Sequence, residues 1–208
     1  MEDLIIKQKD NSVSYEDLLE VIHKAFQGRL QEGMKFTALN YDLDTVKRIV
    51  DSGYTFCALY ENKIVGTLTL IINKEVNNNC SGYISTVAVD PSFQGMGIGY
   101  RLQEIAIKKA KELNCDYILG NSSIHAKNVK RIKEKFGYRI VGYGSDSKTN
   151  YYSYIYRLQI APSFIWSNSF FTKLIFFISY IKCRVLKKSD GTNSAIGNLL
   201  SFITKRLY

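Results

Sequence analysis

The stretch YISTVAVDPSFQGMGIGY, residues 83–100, restricts what this chain can fold into more tightly than any other segment. Its β-branched, alternating character makes Tyr83–Val89 a strand. Asp90-Pro91 ends that strand with a turn. Gln94-Gly95-Met96-Gly97-Ile98-Gly99 then opens a helix of about Gly99 to Leu113. In this helix Leu102, Ile105, Ala106 and Ala110 share one face, and Lys108, Lys109, Lys111 and Glu112 lie largely outside. Three glycines at alternate positions weaken a helix start unless a ligand uses the backbone they expose. Successive N–H groups in such a loop converge on an anion, and the helix N-terminus adds partial positive charge. A pyrophosphate fits this place.

Two familiar glycine-rich loops do not match. A dinucleotide-binding fingerprint needs the loop after an early first strand and an acidic residue about 20 positions further on. Here the loop follows the fourth strand of a meander. No Gly-Lys-Ser/Thr follows it, which excludes a Walker A loop. Upstream, Leu4–Lys7 reads as a strand, and Ser12 or Ser14 caps a helix carrying Leu18, Leu19, Ile22 and Phe26. Gly28–Phe36 reads as a loop, and Leu43–Val50 as a second helix ending at Gly53. Thr55–Tyr60 and Lys63–Ile72, joined by Glu61-Asn62, predict a hairpin. Asn77 to Asn79 and Gly82 break the chain before the Tyr83 strand. Downstream, Cys115–Leu119 is expected as a strand and Lys127–Phe136 as a helix stopped by Gly137. Arg139–Gly144 and Tyr151–Ile160 are expected as the closing strands. The predicted order is β-α-α-β-β-β-α-β-α-β-β, an α/β fold with a mixed central sheet, followed by C-terminal helices.

Composition narrows the function classes. The chain carries +9, but residues 161–208 hold seven basic residues against Asp190 alone, a net of +6, leaving +3 for residues 1–160. A nearly neutral body is a poor footprint for nucleic acid. Cys57, Cys80, Cys115 and Cys183 are widely spaced, with no C-x-x-C pair and only two histidines. No metal site is therefore expected. The opening MEDLIIKQKD lacks the features of an export signal, which sets the expectation of a cytoplasmic protein with free thiols.

At the glycine loop the chain resembles the GNAT superfamily of N-acyltransferases. Residues 94–99 match its Q/R-x-x-G-x-G/A motif, with V-A-V-D-P ahead of it at the expected distance. Lys133-Glu134-Lys135-Phe136-Gly137-Tyr138 matches a second signal, a helix ending in x-E-K-x-G-F/Y. The resemblance covers about residues 2–160 and implies acetyl-CoA as acyl donor. It implies that the strand end Val87-Ala88-Val89 pairs with pantetheine through the backbone of Val87 and Val89. Gln94, Gly95, Met96, Gly97, Ile98, Gly99 and Tyr100 would surround the pyrophosphate, held by the amides of Gly95 to Gly99. A backbone N–H at the strand end would polarise the thioester carbonyl.

Two positions depart from the family pattern. Members often carry a tyrosine four residues before the helix-ending glycine, suited to protonating the CoA thiolate; here it is Lys133. The usual asparagine near the start of that helix falls at Ala126, with Asn128 two residues late. A lysine on so charged a helix is expected on its solvated face, and stabilisation of the thiolate is the competing reading. Tyr83, Ser85, Thr86, Glu32, His125 and Tyr143 are further catalytic candidates by location. Arg29, Glu32 and Phe36 resemble the family's acceptor-side loop.

After Ile160 the character changes, so residues 1–160 read as the acyltransferase domain and 161–208 as a helical extension. Phe170–Leu186 is apolar almost all round but interrupted by Lys173, Lys182 and Arg184, and its core is too short to span a bilayer. In Asn193–Tyr208, the residues Ala195, Ile196, Leu199, Leu200, Ile203 and Leu207 form one helical stripe. The extension is expected to pack on the domain, join a homodimer, or lie on a membrane surface as a peripheral anchor. The leading expectation for function is transfer of an acetyl or similar acyl group to a primary amine of a small metabolite or amino sugar. Competing expectations are acylation of a protein or polyamine amine, and a non-catalytic acyl-CoA-binding module docked through its C-terminal helices.

Overall fold

A computed structural model describes residues 3–28, 34–74, 80–145 and 149–184. The chain divides into two compact units, Met1–Ile118 and Leu119–Tyr208. The architecture is α/β with a mixed sheet. The predicted element order is borne out, and so is the α/β class.

The first unit is an antiparallel meander flanked by helices. β1 (Leu4–Gln8), β2 (Gly53–Tyr60), β3 (Lys63–Lys74) and β4 (Cys80–Val89) pair in sequence. The β2–β3 turn forms at Glu61-Asn62, both with positive φ (48° and 61°), the geometry a tight two-residue hairpin needs. β3 is buried on both faces, which explains its nearly continuous apolar and threonine run. Thr67 and Thr69 line a small cavity with Leu18, Ile22 and Val46, residues of α1 (Tyr15–Gln27) and α2 (Leu43–Asp51). Gly66, on the alternate face, lies under α3 (Ile98–Glu112), where an added Cβ would sit 3.0 Å from Ile98 and 3.3 Å from Leu102. This close approach seats the start of α3 on the sheet.

Ser14 caps α1, its hydroxyl accepting from the Asp17 amide at 3.0 Å. Ser14→Ala is expected to cost about 1 kcal/mol of stability with no change in ligand affinity, measured by urea denaturation and calorimetry. β4 begins three residues before the expected Tyr83, and Gly82 lies inside it rather than breaking it. An added Cβ there would meet Leu70 at 3.0 Å, so the glycine serves close packing. Asp116 clips the first residue of β4: its carboxylate accepts from the Cys80 amide and its own amide donates to the Cys80 carbonyl.

In the second unit, β5 (Tyr117–Ser123) ends four residues later than the sequence predicts. The serines and asparagine of YILGNSS obscure a strand that tertiary pairing stabilises. α4 (Lys127–Lys135) ends in a Schellman motif: Gly137, at φ 82°, donates to Glu134, and Tyr138 donates to Lys133, both at 3.0 Å. β6 (Arg139–Ser145) and β7 (Tyr152–Gln159) form an antiparallel pair. α5 (Phe164–Ser167) and α6 (Ser169–Arg184) follow, and α6 packs along β6. Ser179 Oγ accepts from the Tyr143 amide at 2.9 Å, and Tyr143 meets the rings of Phe176 and Tyr180. Val141, Trp166 and Ile175 form the small core beneath. One face of α6 therefore packs on β6. The Asn193–Tyr208 stripe lies outside the described residues.

Candidate functional site

In the first unit the residues predicted to hold acyl-CoA run from the end of β4 through the glycine loop into the start of α3. β4 pairs with β3 as Thr67↔Ala88 and Thr69↔Ser85, which leaves Thr86 and Val87 opposite Leu68 alone. This is a β-bulge, and Thr86 absorbs it at φ 42°. A β-branched residue at positive φ is strained, and such strain concentrates at functional sites. The bulge leaves Val87 exposed while Ala88 is buried. Pairing with β3 resumes at Ala88, opposite Thr67, and continues with Val89 opposite Gly66, and the Asp90 amide donates to the Val65 carbonyl at 2.9 Å. The sequence motif marks the strand but carries no signal for the bulge.

The loop that follows is built by local chemistry. Asp90 accepts from the Ser92 amide at 2.9 Å and sets the turn. Gln94 Nε2 reaches back to the Val89 carbonyl at 3.2 Å, tying the loop to the strand end. Gly95 and Gly97 adopt φ of 84° and 78°, and the space where a Cβ would project is open at both. Their glycines answer the backbone conformation and leave room for a ligand; packing does not require them. Gln94 to Gly97 are exposed, whereas Ile98 is 1% exposed and anchors the helix. The Arg101 amide donates to the Gly97 carbonyl at 3.0 Å, so the amides of Ile98 and Gly99 precede the first intrahelical bond. An exposed helix N-terminus preceded by two left-handed glycines is a built anion cradle.

The second unit holds an unexpected feature. Lys133 is not on a solvated face: it is 3% exposed, and its ammonium has no hydrogen-bond or ion-pair partner among the described residues. The expectation fails because the charge of α4 is concentrated elsewhere on the helix, leaving Lys133 as its single fully buried position. The rings of Tyr138 and Tyr156 lie 4.3 and 5.4 Å from Nζ and offer the charge their π faces. Burial pulls the Lys133 pKa from 10.5 down to about 8. Ser122 Oγ and the Tyr156 hydroxyl are likewise buried without partners. Burial pushes the Tyr156 phenol up. Among the described residues these are the three buried side-chain polar atoms left unsatisfied. Such groups mark a place that a ligand or bound water completes.

The other candidates divide by burial. Tyr83 is half-buried on β4, and burial with the nearby Tyr41 raises its phenol, which removes it as a base near neutral pH. Ser85 and Thr86 face one another at 3.3 Å beside the bulge. His125 is exposed in the turn before α4, its amide donating to Ser123 Oγ. Tyr143, on β6, packs against α6 through the rings of Phe176 and Tyr180. Phe36 is 7% exposed with its ring 5.3 Å from that of Phe26, so it packs in the first unit. Arg29 and Glu32 lie outside the described residues. All four cysteines are free and buried, and burial raises the thiols of Cys57 and Cys115, so neither is poised as a nucleophile. No group of metal-ligating side chains occurs among the described residues.

A mixed sheet with a bulged fourth strand feeding an anion-binding helix N-terminus defines a CoA-dependent acyltransferase. The profile of the Acetyltransferase (GNAT) family matches residues 15–138, more than half the chain. The chain belongs to that family and is an acyl-CoA-dependent N-acetyltransferase. No curated protein matches it. Among solved structures it is similar to a subunit of the NatC complex bound to Gag peptide and CoA, with TM-score 0.64, 17% identity, and coverage of 76% of this chain and 99% of that one. A GNAT acetyltransferase from Elizabethkingia anophelis with acetyl-CoA bound gives TM-score 0.57 at 16% identity, covering 77% and 100%. The ribosomal-protein-S18-alanine N-acetyltransferase of Escherichia coli gives TM-score 0.60 at 13% identity, covering 77% and 96%.

Proposed function

We propose that this enzyme transfers the acetyl group of acetyl-CoA to a primary amine of a small metabolite or amino sugar, by direct attack within a ternary complex. The observation that carries this reading is the bulged β4 running into the Gly95–Gly97 cradle. Residues Val87 to Val89 would receive the pantetheine, and Gln94 to Tyr100 the pyrophosphate. The amine nitrogen attacks the thioester carbonyl carbon, the C–S bond breaks, and CoA departs as thiolate while the new amide nitrogen loses a proton. No acyl-enzyme is required, in keeping with the raised, buried thiols.

Lys133 is proposed as the acid for the departing sulfur. It occupies the position where many family members carry a tyrosine, and its ammonium is buried with no partner of its own. A pKa of about 8 lies close to that of an ordinary thiol, so proton transfer between them is nearly balanced. The proton released by the amine restores the ammonium.

A second acceptor class, a peptide α-amine, is favoured by two of the similar structures, one holding a Gag peptide and one named for an S18 alanine. Thiol release from acetyl-CoA across amino sugars, small amines, polyamines and a short peptide separates the readings. Turnover is expected with small amines. Turnover confined to the peptide would move the acceptor to proteins. Tight CoA binding without turnover on any amine would replace the enzyme with a silent acyl-CoA-binding module.

A further inference from the structure

α6 buries one face and leaves the other apolar. Thr172, Ile175, Ser179 and Cys183 are buried on the side that meets β6. On the opposite side Phe170 is 69% exposed, Leu174 43% and Phe177 57%. These three recur at i, i+4 and i+7, a single helical stripe. Lys173, Tyr180 and Arg184 are exposed along one margin of it. Isolated exposed apolar residues need no explanation, but an aligned row with a cationic border does.

We propose that this face of α6 docks on an anionic lipid bilayer, the helix lying flat in the headgroup region. Spanning is not the mode, since no described helix is long and apolar enough to cross a membrane. At 16 residues α6 is also only about 24 Å long, and its other face is occupied by β6. The row of phenylalanine and leucine suits the acyl boundary. Lys173 at its edge places its charge among phosphates while its stem stays apolar, and Arg184, stacked over the Tyr152 ring at 4.8 Å, adds its positive charge to the same margin. Charge complementarity selects this occupant over a second copy of the chain. A self-association across this face would bring Lys173 and Arg184 near their own counterparts, and residues 161–208 carry seven bases against one acid. An anionic surface turns the same charges into attraction.

Deleting 161–208 would also strip α6 from β6 and confound the result, so surface substitutions in the full chain give the cleaner test. The intact protein is expected to sediment with vesicles of phosphatidylcholine and phosphatidylserine, and at least ten-fold less with phosphatidylcholine alone. Leu174→Glu with Phe177→Glu should reduce anionic-vesicle binding at least ten-fold with circular dichroism and acetyl-CoA affinity unchanged. Lys173→Glu should reduce it severalfold, and added salt should do the same to the native protein. Absence of sedimentation with anionic vesicles, or undiminished binding by the double variant, overturns the proposal. A dimer in light scattering that the double variant dissolves, without vesicle binding, would assign the face to a second copy instead.

Discussion

Gly97→Asp abolishes acetyl-CoA binding while leaving the fold intact. Gly97 holds φ at 78° and caps α3, and nothing stands within 4 Å of where its Cβ would be. A side chain there meets no protein atom and projects into the space left for the ligand. Aspartate tolerates the left-handed region better than most residues, so the backbone cost is modest. Its carboxylate, however, would oppose the pyrophosphate and compete for the same amides. Near a protein surface, like charges about 4 Å apart repel by up to ~4 kcal/mol, so a loss of roughly 100-fold or more in affinity is expected. Gly97→Asn separates the causes. It shares the backbone demand and the size but not the charge, and should lose no more than about ten-fold. Isothermal titration with CoA, alongside circular dichroism, makes the comparison. Equal affinity for the aspartate and asparagine variants would remove the pyrophosphate from this loop.

Lys133→Met raises stability and lowers turnover together. The folded-state pKa of about 8 lies below the ordinary 10.5, so folding disfavours the charged amine. Below pH 8 both folded and unfolded chains are protonated, and the whole cost of the buried charge is present. Between pH 8 and 10.5 the unfolded chain holds the proton more tightly, so stability rises with pH. Above 10.5 the cost is gone. The gap corresponds to about 3 kcal/mol at neutral pH. Methionine fills a similar volume without the charge, and should raise the melting temperature at pH 7 by on the order of 5–10 °C. That gain should vanish as pH approaches 10.5. Loss of the acid should lower kcat about 100-fold, and in the native enzyme kcat/KM should fall as pH rises through about 8. Unchanged turnover would leave Lys133 outside the chemistry. A destabilised variant would show that the ammonium has a partner in the folded protein.

A residue that costs stability without packing need is best explained by what it does for a ligand. The tyrosine of related sequences needs no such penalty, since a neutral phenol can be buried with less desolvation. In the proposed role Lys133 would exchange a neutral acid for a cationic one, with a pH profile of its own.

Much of this architecture was legible in the chain itself. Strands and helices followed from periodicity, and the Gly95–Gly99 loop from the mismatch between glycine and a helix start. The hairpin at Glu61-Asn62 and the stop at Gly137 required only local backbone geometry, which short sequences encode directly. The cut at Gly82 and the early end of β5 were misread for a shared reason: small and polar residues in strands are sustained by neighbours far along the chain.

What the amino-acid sequence alone determined is the order of elements and the glycine-opened start of α3, because both rest on residues close together in the chain. Three things only the tertiary structure decided. The bulge at Thr86 exists because β3 and β4 differ in count between two fixed pairings. The exposed row on α6 appears only once β6 claims the helix's other face. Lys133 looks solvated in a run of charges, and it is the packing of Tyr138 and Tyr156 around α4 that takes it out of water.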